Sequence, residues 1–304
     1  MSERTADTEF RGTFYEPPYF EDLSERGAVK LTSMLRLTGR PHYTLWAREI
    51  GSPHFKERTG QFFPIYYLDI EVTDLPIETR EAVQVDVRIH LGKHLAPDGT
   101  VDRLISEAWT EVSSSPADGQ RRRLGGTHKQ AVFTRPDPDP EKRKVRVLHP
   151  SLGLGDLPRR QIRPFTLEDL LTPPRGFGGG EELADREAHV WSYQQTDPNQ
   201  HIHAMEYVRV MEAFAAEQLA RRGHPPGGYY FGRARILFRR PSFTGEWYRR
   251  TARRFPGPEG EDLVIGSIHC VPGPDRPLTG APAAVVQLYA RKSLPSSSRS
   301  DKNG

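Results

Sequence analysis

Between Gln195 and His203 the chain reads Gln-Thr-Asp-Pro-Asn-Gln-His-Ile-His, an unusual density of chemically useful groups. Asp197, Asn199 and His201 stand at steps of two, and His203 follows at the same step. A carboxylate, an amide and an imidazole spaced in this way can converge on one pocket. An amphipathic stretch comes next, His203 to Arg222, with Met205, Val208, Met211, Phe214, Ala215, Gln218 and Leu219 recurring at steps of three and four. The first turn of such a helix offers N–H groups without internal partners and the positive end of the helix dipole, and both polarise a carbonyl. Acyl transfer from sulfur needs these parts: a donor for the developing oxyanion, a base or nucleophile, and a group that orients it. Asp-Pro-Asn is also a turn signature and either acid or amide can cap a helix. Neither purpose requires two histidines directly afterwards, so the chemical reading is the stronger.

Gly223 closes the helix, and Pro225 and Pro226 cannot continue it. Around it lie runs of alternating, β-branched and aromatic residues that predict strands over Ala188–Gln194, Tyr229–Phe238, Glu246–Phe255, Asp262–Val271 and Ala283–Leu288. The first half has a similar pattern, with strands over Phe62–Val72, Ala82–Leu91 and Leu104–Val112 and a weaker one at Lys129–Phe133. Its helix is expected over Pro41–Ile50, with Pro41 as an early helical residue. One long helix among antiparallel strands, seen twice, predicts an α+β tandem (double) hotdog, each unit a helix wrapped by a curved sheet. The expected boundaries are an N-terminal unit over 1–134, a linker over 135–185, a C-terminal unit over 186–293 that carries the site, and a disordered tail over 294–304.

A chain of 304 residues with 36% hydrophobic content can bury a substantial core. It has no apolar run long enough to cross a bilayer and a polar start where a signal peptide would be apolar, so the expectation is a cytoplasmic protein without a membrane partner. Cys270 is the only cysteine, which excludes an intrachain disulfide and a cysteine-based metal site. The formal net charge of +3 is too small for a general nucleic-acid binder. Local basic runs at Arg121–Arg123, Lys142–Arg146 and Arg249–Arg254 are solvated faces or places to meet phosphates and acidic carriers. His90 and His94 lack a third metal ligand, and Ser242 lacks the flanking glycines of a nucleophile elbow. No metal and no cofactor are expected.

The run Thr196-Asp197-Pro198-Asn199-Gln200-His201-Ile202, followed after four residues by Tyr207, resembles the motif of acyl-carrier-protein thioesterases and related hotdog thioesterases. The resemblance is carried by about Val190 to Gly223. It implies a paired hotdog in which Asp197 is acid/base or nucleophile, His201 assists proton transfer and Asn199 orients water or thioester. His203 and Tyr207 are then expected to contact substrate. The implied partner is an acyl-CoA or acyl carrier protein, in fatty-acid or polyketide-type biosynthesis, and the unit can be complete alone or form a homodimer. In plant-type members an Arg-Arg pair precedes a functional Glu and a Cys; here Arg239 and Arg240 lead into Pro241 and Ser242, and His203-Ala204 replaces a pair of asparagines. The motif is also similar to that of hotdog hydratases. The run Gly60 to Tyr67 resembles double-hotdog acyltransferases and decarboxylases of polyketide pathways, which makes Tyr66 and Tyr67 candidates to face the acyl group. Dehydration or hydration, acyl transfer, and non-catalytic acyl binding are the alternatives to hydrolysis.

Overall fold

The computed structural model describes residues 9–51, 55–78, 81–114, 120–152, 154, 158–185, 187–197, 200–225, 228–278 and 280–293. Its strands are β1 (Phe10–Glu16), β2 (Ile65–Val72), β3 (Val83–Leu95), β4 (Val101–Ser114), β5 (Arg122–Val132), β6 (Glu181–Ala184), β7 (His189–Val190), β8 (Tyr229–Phe238), β9 (Trp247–Pro256), β10 (Asp262–Val271) and β11 (Ala284–Lys292). The helices are α1 (Leu31–Trp46), α2 (Phe55–Thr59), α3 (Pro140–Arg143), α4 (Leu167–Leu171) and α5 (Ala204–Arg221). All pair antiparallel in one sheet of order β1-β3-β4-β5-β2-β8-β11-β10-β9-β6, with β7 also on β9.

The order contains a repeat. In the first half a short strand (β1), a helix (α1) and four strands arrange as first-third-fourth-fifth-second; β7, α5 and β8 to β11 follow the same plan. The two second strands, β2 and β8, pair with each other over Tyr67↔Leu237 to Glu71↔Arg233. The result is a double hotdog whose two sheets are continuous and whose helices lie on the same, concave face.

The helices also meet each other. Leu37, Leu45, Met34, Leu68 and Ile70 from the first half and Val208, Met211, Phe214, Ile236 and Val286 from the second belong to one buried cluster. Each hotdog therefore completes the core of the other, and stability is shared between them.

Helix α1 differs from the expectation. It begins ten residues earlier, at Leu31, and Pro41 lies in its interior. Its N-cap is Lys30, which supplies no side-chain acceptor, so the usual start signal is missing from the sequence. Tertiary burial of Leu31, Met34, Leu35, Thr38, His42 and Leu45 holds the helix instead. Strand β1 was not anticipated, although Phe10 and Glu16 face inward at its two ends.

The segment expected as a linker is docked on the convex face. The Phe165 ring stacks on Tyr67 at 3.7 Å, and Leu170, fully buried, accepts a hydrogen bond through its carbonyl from Gln287 Nε2 at 2.7 Å. The segment then enters the sheet as β6 beside β9.

Asp69 of β2 receives two hydrogen bonds from Arg233 of β8, Nε at 2.9 Å and Nη2 at 2.6 Å, with Arg235 at 3.8 Å. This forked pair bridges the junction between the two sheets. Asp69→Ala is expected to cost about 1–3 kcal/mol in urea unfolding, less than a fully buried pair because Arg233 can still reach water.

The concave face holds one unexpected group. Lys129 of β5 lies between Leu68 and Ala108 and is only 4% exposed. Its ammonium has no ion pair or hydrogen bond among the described residues. Burial brings its pKa down from 10.5 to about 8. The unfolded chain thus holds more protons than the folded one between those values, so stability rises as pH climbs from about 8 towards 10.5, while below 8 the full cost of the buried charge is present. Lys129→Met is expected to be more stable than native at neutral pH, by a margin that shrinks towards about pH 10, as read by urea unfolding at both values.

Candidate functional site

The motif folds as a small hairpin ahead of α5. Thr196 and Ile202 form an antiparallel bridge, Asp197 N–H donates to His201 O at 2.9 Å, and Gln200 N–H donates to Asp197 O at 2.9 Å. Gln200 takes a positive φ of 65°, which completes the turn. Asn199 lies outside the described residues. The turn reading and the chemical reading are therefore compatible, since the turn is what sets the site.

Ile202 is buried, and its N–H donates to Ser242 O at 2.9 Å, anchoring the hairpin to the body. Asp197 and His201, each one residue along, are joined through the backbone at the base of the turn, and both are half-buried. The His201 ring meets Phe243 edge-on at 5.2 Å. The backbones of an acid and a histidine are thereby held as neighbours without belonging to a regular sheet.

The hairpin delivers the chain into α5. His203 is the N-cap, its Nδ1 accepting from Met205 N–H at 3.3 Å while its backbone oxygen accepts from Glu206 N–H at 2.9 Å. The exposed His203 thus orients the helix start, and the N–H of Ala204 stands at the tip, where a helix has no acceptor of its own to offer. Glu206 is buried and tied to Gln195 at 3.1 Å and Arg209 at 2.5 Å, which adds a carboxylate to the positive end of the helix dipole.

The first unit contributes a residue that the sequence did not single out for chemistry. Tyr43 of α1 is 56% exposed, yet its phenol is pushed up, first by burial and then by the Asp197 carboxylate. The two groups are therefore electrostatic neighbours across the seam between the units. Further along that seam Lys30, at the start of α1, helps to offset the burial that raises Glu212 of α5 to about 7. The two helices run antiparallel, with Tyr43 beside the start of α5 and Lys30 beside its middle. An exposed aromatic next to a buried helical stripe was the only signal available for Tyr43.

Other expected site residues sit elsewhere. Tyr207 is in the core: its ring packs on Trp191 at 5.2 Å and Phe238 at 5.4 Å, and its hydroxyl accepts from Ser242 N–H at 3.0 Å. Tyr66 and Tyr67 lie on the convex face, separated from the helices by the sheet. The register slips by one residue between Ile65 and Tyr67, and that irregularity turns Tyr66 out together with Tyr67. Tyr66 hydroxyl donates to Gln130, whereas Tyr67 hydroxyl donates to Asp69 at 3.2 Å and accepts from Arg235 at 3.1 Å. These three tyrosines are bound into packing and are not brought together with Asp197.

The basic runs are largely neutralised: Arg123 pairs with Glu71, Lys144 with Asp102, Arg250 with Asp185 and Arg254 with Asp262. Among the described residues no group of three His, Cys, Asp or Glu is placed to hold a metal, and His90 instead packs edge-on against Trp109. No helix among them is long and apolar enough to cross a membrane.

No family model and no curated protein matches the sequence. Solved structures do match. A putative oleoyl thioesterase from Lactobacillus plantarum superposes with a TM-score of 0.61 at 14% identity, covering 95% of this chain and 98% of the other. The chain has the fold of that protein. An acyl-ACP thioesterase from Bacteroides thetaiotaomicron gives 0.58 at 12% identity over 92% and 98% of the chains, and the 12:0-ACP thioesterase of Umbellularia californica gives 0.56 at 10% over 93% and 94%. These likenesses span both hotdogs and are likenesses of architecture.

Tyr207→Phe leaves the buried Ser242 N–H without its acceptor. It is expected to lower stability by about 1–2 kcal/mol in equilibrium urea unfolding, as the loss of one buried hydrogen bond should.

Proposed function

We propose that the chain hydrolyses acyl thioesters carried by coenzyme A or acyl carrier protein. The observation that carries this reading is the hairpin that ties Asp197 to His201 just before α5, with Asp197 close enough to Tyr43 of the other unit to raise its phenol. Support also comes from the shared fold with three proteins described as thioesterases. In the reaction Asp197 takes a proton from water as the oxygen attacks the thioester carbonyl. The oxyanion forms against the Ala204 N–H at the tip of α5, which the helix leaves without a partner of its own. Collapse of the tetrahedral species breaks the C–S bond, and the proton passes to the departing thiolate through the Asp197–His201 pair, leaving a free acid and a free thiol. Asn199, by its place in the motif, orients the water or the thioester. Tyr43 is positioned to hold the thioester beside the carboxylate.

A single cysteine and the carrier-borne substrate class fit a cytoplasmic role in fatty-acid or polyketide-type synthesis, and the two units supply a complete site without a second copy. Mass spectrometry of thioester panels, together with a thiol assay, tests the reaction. Native protein is expected to release free acid and thiol, and Asp197→Asn to lose about 10²–10⁴-fold in kcat. An altered acyl group without thiol release would move the assignment to dehydration or hydration. No change in any thioester would leave acyl binding as the role.

A further inference from the structure

The unpaired ammonium of Lys129 has a neighbour. His42 of α1 is 7% exposed, its Nδ1 is buried without a hydrogen-bond partner, and its pKa is driven well below the ordinary value by burial and then by the Lys129 charge. Two buried polar side chains from opposite walls of the first hotdog thus approach one another with capacity to spare. Native interiors pair buried charges and satisfy buried nitrogens, because an uncompensated one costs several kcal/mol. Lys129 is flanked on the concave face by Thr127 and Ala131 along β5, by Ala108 across on β4 and by Leu68 across on β2, none of which offers it a charge. His42 is also the residue before Tyr43, so this pair and the Asp197 seam are reached from adjacent positions of one helix.

We propose that the Lys129–His42 pair binds a carboxylate at the far end of the substrate's acyl chain, so that the enzyme acts on monothioesters of dicarboxylic acids. One carboxylate oxygen accepts from the Lys129 ammonium and the other from the His42 imidazole. A hydroxyl or ketone would leave the buried charge uncompensated, and a phosphate would bring a second charge with no partner. The inference rests on the hydrolase reading only for the thioester end of the ligand.

The test reads binding apart from turnover. Calorimetry compares native protein and Lys129→Met with non-hydrolysable coenzyme A thioethers, S-carboxyalkyl against S-alkyl of matched chain length. Native protein is expected to bind the carboxylated member about 10- to 100-fold more tightly, the range of one charge-assisted hydrogen bond. Lys129→Met is expected to lose that preference without unfolding at a lower temperature. Equal binding of both thioethers by native protein, failure to bind the carboxylated one, or a preference that survives in the variant overturns the inference, as does tighter binding of a hydroxyalkyl thioether. Carboxylate binding through Lys129 with no thioester cleaved would uphold it while removing hydrolysis.

Discussion

The pairing of β2 with β8 is the constraint from which the other features follow. Five residues, Tyr67 to Glu71, run against Leu237 to Arg233, and the Asp69–Arg233 fork locks the register from the convex side. A slip of one residue would turn Leu68 and Ile70 out of the core and Asp69 into it. With the register held, the two sheets become one surface, and α1 and α5 must lie side by side on its concave face. Tyr43 then has no choice but to stand near the hairpin that precedes α5. The functional seam is a consequence of how two sheets are joined.

Polar groups are distributed between the two faces in opposite ways. On the convex face Glu107, His128, Gln130, Tyr67, Asp69, Arg233, Arg235 and Gln287 satisfy one another beneath the docked segment that carries Phe165 and Leu170. On the concave face Lys129 and His42 are left incomplete. The sheet thus satisfies the polar groups of its central convex strands and leaves His42 and Lys129 without partners on the other side. Unspent hydrogen-bonding capacity in an otherwise paired protein marks function more sharply than the number of polar residues does.

Much of the architecture was legible in the residues. The steps of three and four along α5, its closure at Gly223, and the alternating runs of β8 to β11 follow from local periodicity, and they were enough to predict a helix wrapped by antiparallel strands. Helix α1 was half legible: Lys30 gives no cap signal, and Pro41 reads as a beginning when it is an interior residue tolerated by packing. The turn that carries Asp197 and His201 was legible too, because turn chemistry is local. Tyr43, Lys129 and the convex placement of Tyr66 and Tyr67 were not legible. Each depends on which strand lies beside which, or on a one-residue slip in register, and neither is written in the neighbourhood of the residue concerned.

The central claim is that one site is shared between the two hotdogs, Asp197 acting from the second and Tyr43 from the first. A double-mutant cycle measures it directly: kcat/KM for thioester hydrolysis in native protein, Tyr43→Phe, Asp197→Asn and the double variant. Residues acting on the same bound thioester are expected to be coupled by more than about 0.5 kcal/mol, so that the second substitution costs less once the first is made. Effects that add in full would place Tyr43 outside the site and contradict the account.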